Sequence, residues 1–283
     1  MKASLLLLLF ISFSAQAQFM NSLCQKRVQN IEYHLPYITD GENLWGESGE
    51  LLFKNSSTFL SMAHVGDEFF FLSKEELIQK DSAGSELNRF TLPSLSVLSY
   101  GKRLLTHGDL VIVLHDDGVS AFDTTKNEFT WIHSNGDLTG GVMVDGTMIN
   151  DEIVILLANG YQGAFVGVVT LSLTGERKKV QKWDLFRSGF IDHKARMHWT
   201  GERLLINNSG WMQFIDAKQL RGKKGLRVKV APTYVLDSQN KRRHLDMMGD
   251  FFLTDSGFSG CGKFTFLDNE EMKQGSDLYS FSF

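Results

Sequence analysis

The chain has 283 residues, with 3 Pro, 26 Gly, 22 Phe and a formal charge of −4. A balance this close to neutral excludes a general nucleic-acid binder and a protein held to anionic membranes by charge alone. Few prolines, many glycines and abundant Phe fit an all-β chain punctuated by glycine turns, and one domain of this length is ordinary for a closed β architecture.

The first residues read as a targeting segment. Lys2 gives a positive start, residues 5–13 are apolar, and Ala15, Gln16 and Ala17 form an A-x-A cleavage site. The expectation is a signal peptide over residues 1–17 and a mature chain of 266 residues, exported to the periplasm or secreted. Its loss removes only Lys2, so the formal charge of −4 becomes −5. The apolar run is too short for a membrane span, and no later run reaches the roughly 18 residues one needs. Cys24 follows Leu23, where lipoprotein acylation requires a small residue, so the segment does not read as a lipid anchor. The chain has two cysteines, Cys24 and Cys261. In an oxidising compartment an even count predicts a disulfide.

Residues 24–57 hold short strand candidates at 31–35, 42–45 and 50–54. From there the chain repeats. A turn pair followed by an apolar run occurs as Gly66-Asp67, Gly108-Asp109, Asn150-Asp151, Gly201-Glu202 and Gly249-Asp250. The spacings are 42, 42, 51 and 48 residues, inside the range of β-propeller blades and without the 3.6-residue periodicity of helical solenoids.

The clearest copy is residues 104–131. It divides into four strands, at 104–106, 110–114, 119–122 and 128–132, separated by tight turns. Four short strands and a return to the start make one propeller blade. The predicted fold is all-β: a single propeller of four-stranded blades over residues 18–283, six blades favoured and five the alternative. Residues 18–57 would supply an irregular first blade or closing strands. The N-terminal segment should meet the last blade, with the predicted bridge locking it.

Within that blade Ala121, Asp123 and Trp131 match the pattern A-x-D-x-x-x-G-x-x-x-W, with Asn127 where glycine is usual. This resembles the tryptophan-docking repeat of quinoprotein-like and WD-type propellers. Partial echoes are Leu173 to Gly175 followed by Trp183, and Phe214 to Ala217. The resemblance implies the fold and an indole packed against a neighbouring blade. It implies no cofactor, and none is expected. Quinoprotein dehydrogenases are much longer, and no vicinal cysteine pair is present. Outer-membrane-assembly scaffold propellers share the repeat but are longer and lipidated.

In propellers ligands meet the loops joining the second and third strands and the loops between blades. That placement selects His115, Asp116, Asp117, Tyr161, Asn208, Trp211, Asp255 and Phe258 from the first set, and Asp192 and His193 from the second, which spans 187–193 and 239–244. His115 to Asp117 offers ligand-type side chains but also reads as a plain hairpin turn. Asp192, His193 and His198 lack a recognised metal spacing, and no metal is expected. Residues 218–229 carry six basic side chains, including Arg221, Lys223, Lys224 and Arg227. They read as an extended hairpin for an anionic partner. Asn55 and Asn207 begin glycosylation patterns.

No nucleophile elbow, zinc-protease helix or phosphate loop is present. The expected function is therefore an exported, non-enzymatic, monomeric propeller that binds a protein or envelope partner. The alternative is a glycan-active hydrolase or lectin using the loop face.

Overall fold

The computed structural model describes residues 19–20, 22–24, 32–34, 37–46, 48–94, 101–158, 166–184, 195–208, 211–220, 226–227, 231–232, 234–254, 257–268 and 271–282. The signal-peptide segment lies outside them.

The first sheet holds β1 (Glu32–His34), β2 (Tyr37–Thr39), β3 (Asn43–Gly46) and β4 (Leu51–Lys54). The second holds β5 (Ser61–Val65), β6 (Glu68–Leu72), β7 (Glu76–Lys80) and β8 (Glu86–Thr91). The third holds β9 (Gly101–His107), β10 (Leu110–His115), β11 (Gly118–Asp123) and β12 (Glu128–Ser134), followed by the helical turn α1 (Asn135–Leu138). The fourth holds β13 (Val142–Ile149), β14 (Glu152–Ala158), β15 (Val166–Ser172) and β16 (Arg177–Asp184). The fifth starts with β17 (Arg196–Trp199), β18 (Arg203–Asn208) and β19 (Trp211–Asp216). The chain continues through α2 (Ala217–Leu220) and β20 (Leu226–Arg227), which joins the edge of the fourth sheet, to β21 (Ala231–Pro232), which completes the fifth. The last sheet holds β22 (Tyr234–Asp237), β23 (Arg242–Thr254), β24 (Gly257–Asp268) and β25 (Glu271–Ser282).

In each of the first four sheets the four strands pair antiparallel in chain order, and the fifth does so as β17-β18-β19-β21. Among the described residues the fold is a β-propeller with five open blades. The last sheet is different: β22 pairs with both β23 and β25, so its four strands close on themselves. The favoured count of six thus gives way to five. Residues 32–54 make a blade of their own, and the extra repeat at the C-terminus is the one that leaves the pattern. Gly249-Asp250 is not a turn there; it lies inside the 13-residue β23, at a register shift between Met248 and Phe251. Residues 239–244 likewise form no link between blades, because the turn at 238–241 joins β22 to β23 within one sheet.

The other repeats fold as their turns require. Gly66, Gly108, Asn150 and Gly201 all have positive φ, at 61°, 55°, 54° and 92°. Asn127, standing for glycine in the docking repeat, has φ 54°, a region Asn enters more readily than most side chains.

Residues 59–232 form one compact unit and residues 1–58 with 233–283 another. Inside the first unit the opening strands adjoin in sequence: β5 lies against β9, β9 against β13, and β13 against β17. The apolar runs of the second strands explain themselves here. Val111 and Val113 face a core shared with Phe70, Leu72 and Leu104, while Ile112 and Leu114 face a core shared with Ile153, Ile155 and Val169. In β14, Ile153, Ile155 and Leu157 face back while Val154, Leu156 and Ala158 join Leu204 and Ile206 of the next blade. A strand buried on both faces has no polar side to alternate. Each such Val, Leu or Ile contributes about 1.5–3 kcal/mol by leaving water.

In the second unit Cys24 and Cys261 are disulfide-bonded across 237 residues, both fully buried beside Met20, Leu23 and Ile38. β1 lies against β23 in the same unit. The N-terminal segment therefore meets the last sheet as expected, with the bridge as the lock.

Candidate functional site

The hairpin turns define two ends for each blade. One end carries the turns joining strands one to two and three to four; the other carries the turns joining two to three. Among the described residues, His115, Asp116, Asp117, Asn208, Trp211 and Phe258 belong to the second end. His115 ends β10 and pairs with Gly118 across the turn, which leaves Asp116 and Asp117 as its tip. Asn208 and Trp211 pair across the equivalent turn between β18 and β19. Phe258 pairs with Leu253 at the start of β24. Tyr161, Asp192, His193 and Asp255 lie outside the described residues, as do Arg221, Lys223 and Lys224.

His115 does not present its imidazole to solvent. It is fully buried, and Nε2 sits 2.8 Å from the Ser120 hydroxyl. Nδ1 is buried with no partner. Burial pushes its pKa down to about 4, only partly offset by the nearby Asp117 carboxylate. His115 is thus part of the buried base of the hairpin, with Asp116 and Asp117 at its tip. Among the described residues no three His, Cys, Asp or Glu side chains are placed to hold a metal ion.

The basic segment is not a simple hairpin. After α2 the chain crosses to the neighbouring blade, where Leu226 and Arg227 of β20 pair parallel with Trp183 and Asp184 of β16. It then returns to pair Ala231 and Pro232 with Met212 and Trp211. Asn55 is buried and its backbone N–H donates to Glu42, so its glycosylation pattern is closed in the folded chain.

Two polar features escaped the sequence reading. The first is a buried ion pair on the opening strands. Arg103 of β9 donates from Nη1 to Asp145 Oδ2 of β13 at 2.7 Å, and the same oxygen accepts the N–H of Met197 on β17 at 2.7 Å. One carboxylate so ties three consecutive blades. Arg103 and Asp145 are 42 residues apart, the repeat spacing, so they hold equivalent places in adjacent blades. A lone Asp in an apolar opening strand, one period after an Arg, was the available signal.

The second is a groove of about 500 Å³ at the other end of the fourth and fifth blades. Alternation builds it. Glu152 and Val154 lie two apart on β14, and Val168 and Thr170 two apart on β15. Val154 pairs with Thr170, and Thr170 with Lys179 of β16. These side chains share one face of the fourth sheet, which Trp199, Ala217 and Leu220 of the fifth blade oppose across the groove. Lys179 reaches over to donate to the Leu220 carbonyl. Burial lowers the pKa of its ammonium, and Glu152 opposes that shift. Lys178 is drawn instead to Glu176, 2.7 Å away.

Comparison with known proteins supports the fold and no more. No family model and no curated protein matches the chain. Among solved structures, the WD40 domain of Pan2 from Neurospora crassa superposes with a TM-score of 0.55 at 12% identity, covering 89% of this chain and 74% of that one. The extracellular domain of a putative hybrid two-component system from B. thetaiotaomicron gives 0.57 at 8% identity, covering 89% of this chain and 38% of that one. A second structure, titled as the extracellular domain of a putative one-component system of that organism, gives 0.51 at 8% identity, over 86% and 35%.

Proposed function

We propose that this is an exported, non-enzymatic β-propeller that binds a protein or other envelope component outside the cytoplasm. The observation that carries the reading is the buried Cys24–Cys261 bridge. Stable disulfides of this kind belong to oxidising compartments, and this one sits just after the predicted cleavage site at Ala17. An extracellular domain among the structural neighbours is compatible with that placement. Propellers commonly serve as platforms for other proteins, which supports binding over catalysis, although fold by itself never assigns function. The residues proposed to meet the partner are those at the two-to-three turns, Asp116, Asp117, Asn208 and Trp211, with Tyr161, Asp192, His193, Asp255 and Phe258. The basic residues Arg221, Lys223, Lys224 and Arg227 are proposed to favour an anionic partner surface. The protein is proposed to act as a monomer, without cofactor or metal.

The test is photocrosslinking in the producing cell. A photoreactive amino acid at Asp117 or Asn208 should yield one discrete crosslinked species outside the cytoplasm. The same probe at Lys126, in the three-to-four turn of the third blade, should not. Equal, diffuse labelling from all three positions would contradict the proposal.

A further inference from the structure

The groove between the fourth and fifth blades stands apart from the turns proposed to meet the partner, and its composition can be read independently of that reading. Its volume of about 500 Å³ falls in the range of small-ligand sites, roughly 300–1,000 Å³. Its lining has two characters. Val154 and Val168 form a buried apolar floor, and Trp199 supplies a partly exposed indole. Around them stand hydrogen-bonding groups of both kinds: the Asn150 amide, the Glu152 carboxylate, the Thr170 hydroxyl and the Lys179 ammonium.

The charges decide which ligands fit. The Lys178 ammonium is drawn away to Glu176, 2.7 Å off in an exposed ion pair. That leaves Glu152 against Lys179, one negative and one positive group on the same wall. Lys179 is also held by the Leu220 carbonyl. An anion drawn to Lys179 is set against Glu152, and a cation drawn to Glu152 is set against Lys179, so a net charge on the ligand is opposed either way. A neutral ligand with many hydroxyls and one apolar face meets neither penalty. Its hydroxyls can donate to Glu152 and accept from Lys179, bonds strengthened because one partner is charged. Its apolar face can lie on the indole, whose rigid surface buries a large area.

We propose that this groove is a binding site for a neutral saccharide, with Trp199 as the stacking platform and Glu152, Thr170 and Lys179 as the hydroxyl partners.

The experiment is saturation-transfer-difference NMR on the full mature protein. The probes are cellobiose, maltose, N-acetylglucosamine and methyl mannoside, with sodium glutamate and choline as charged controls. At least one sugar should receive saturation, strongest on ring protons. The charged controls should receive none. Trp199 packs on the core cluster, so Trp199→Ala can harm folding; Glu152→Ala, at an exposed position, is the second variant. Each should weaken sugar binding roughly tenfold, the loss of about one good contact. Lack of transfer to every sugar, transfer only to a charged control, or unchanged sugar binding in a folded Glu152→Ala protein would overturn the assignment. Crosslinking at Asp117 would be unaffected by any of these results, so the two readings fail separately.

Discussion

The indole N–H of Trp131 donates to the carbonyl of Leu173 at 2.8 Å, 42 residues onward and in the next blade. Its ring lies against Gly175, which has φ 82° and where an added Cβ would come within 2.8 Å of the indole. His133, two residues along the same strand, reaches the Gly175 carbonyl at 2.7 Å. The outer strand of the third blade is thereby docked on the three-to-four turn of the fourth.

Trp131→Ala should destabilise by about 3 kcal/mol, at the low end for a Trp because the ring is only half-buried. Trp131→Phe keeps a smaller aromatic ring and loses the donor, and should cost less than the alanine change, with about 1 kcal/mol from the hydrogen bond. Gly175→Ala should cost more than 1 kcal/mol, from its positive φ and from the clash with the indole. Urea midpoints of the three variants check the order. Gly175→Ala matching the wild type would mean that the docking is loose.

Asp145→Ala should be among the most damaging single changes, costing about 3–5 kcal/mol, because it leaves Arg103 charged and buried without its carboxylate. It also leaves the Met197 N–H without its acceptor. Asp145→Asn keeps an oxygen for that N–H and should cost less. Chemical denaturation of both variants measures the difference, and equal midpoints would show that the Met197 bond contributes little.

The buried His115 makes stability depend on pH. Its folded pKa, about 4, lies below the ordinary 6.5, so the unfolded chain binds the proton first. The contribution is complete above pH 6.5, falls as pH drops through that value, and levels off below about 4. The difference corresponds to roughly 3 kcal/mol over that window. Thermal melts of the wild type and His115→Gln at pH 7 and pH 4.5 should show a smaller acid loss in the variant. Equal losses would assign the acid sensitivity to other groups.

Much of the fold was legible because the turns announce it. Four positions with positive φ, at Gly66, Gly108, Asn150 and Gly201, were marked by turn residues ahead of apolar runs. Gly249 carried the same mark and failed, because β23 runs through it with an irregular register. Local turn chemistry cannot reveal a strand that continues. The crossing of β20 to β16 was hidden for a different reason: two residues pairing parallel with another blade leave no local pattern. The candidate groove was illegible as well. Glu152, Thr170 and Trp199 become neighbours only once two sheets face each other, and the reading of loops pointed to the other end of the blades.

Reduction of the Cys24–Cys261 bridge should lower stability by about 5 kcal/mol, the chain-entropy value for a loop of 237 residues. A Cys24→Ser, Cys261→Ser double variant should show the same loss in urea. A loss confined to one unit, seen as a separate early transition, would show that residues 1–58 with 233–283 unfold on their own.

Export into an oxidising compartment underlies the proposed function, and one measurement reaches it directly. Intact mass of the protein recovered from its producing cells, with alkylation before and after reduction, should show a chain beginning at Gln18. Both cysteines should be protected until reduction and then each take one label. A cytoplasmic chain that retains residues 1–17 and alkylates at Cys24 and Cys261 without reduction would contradict the account.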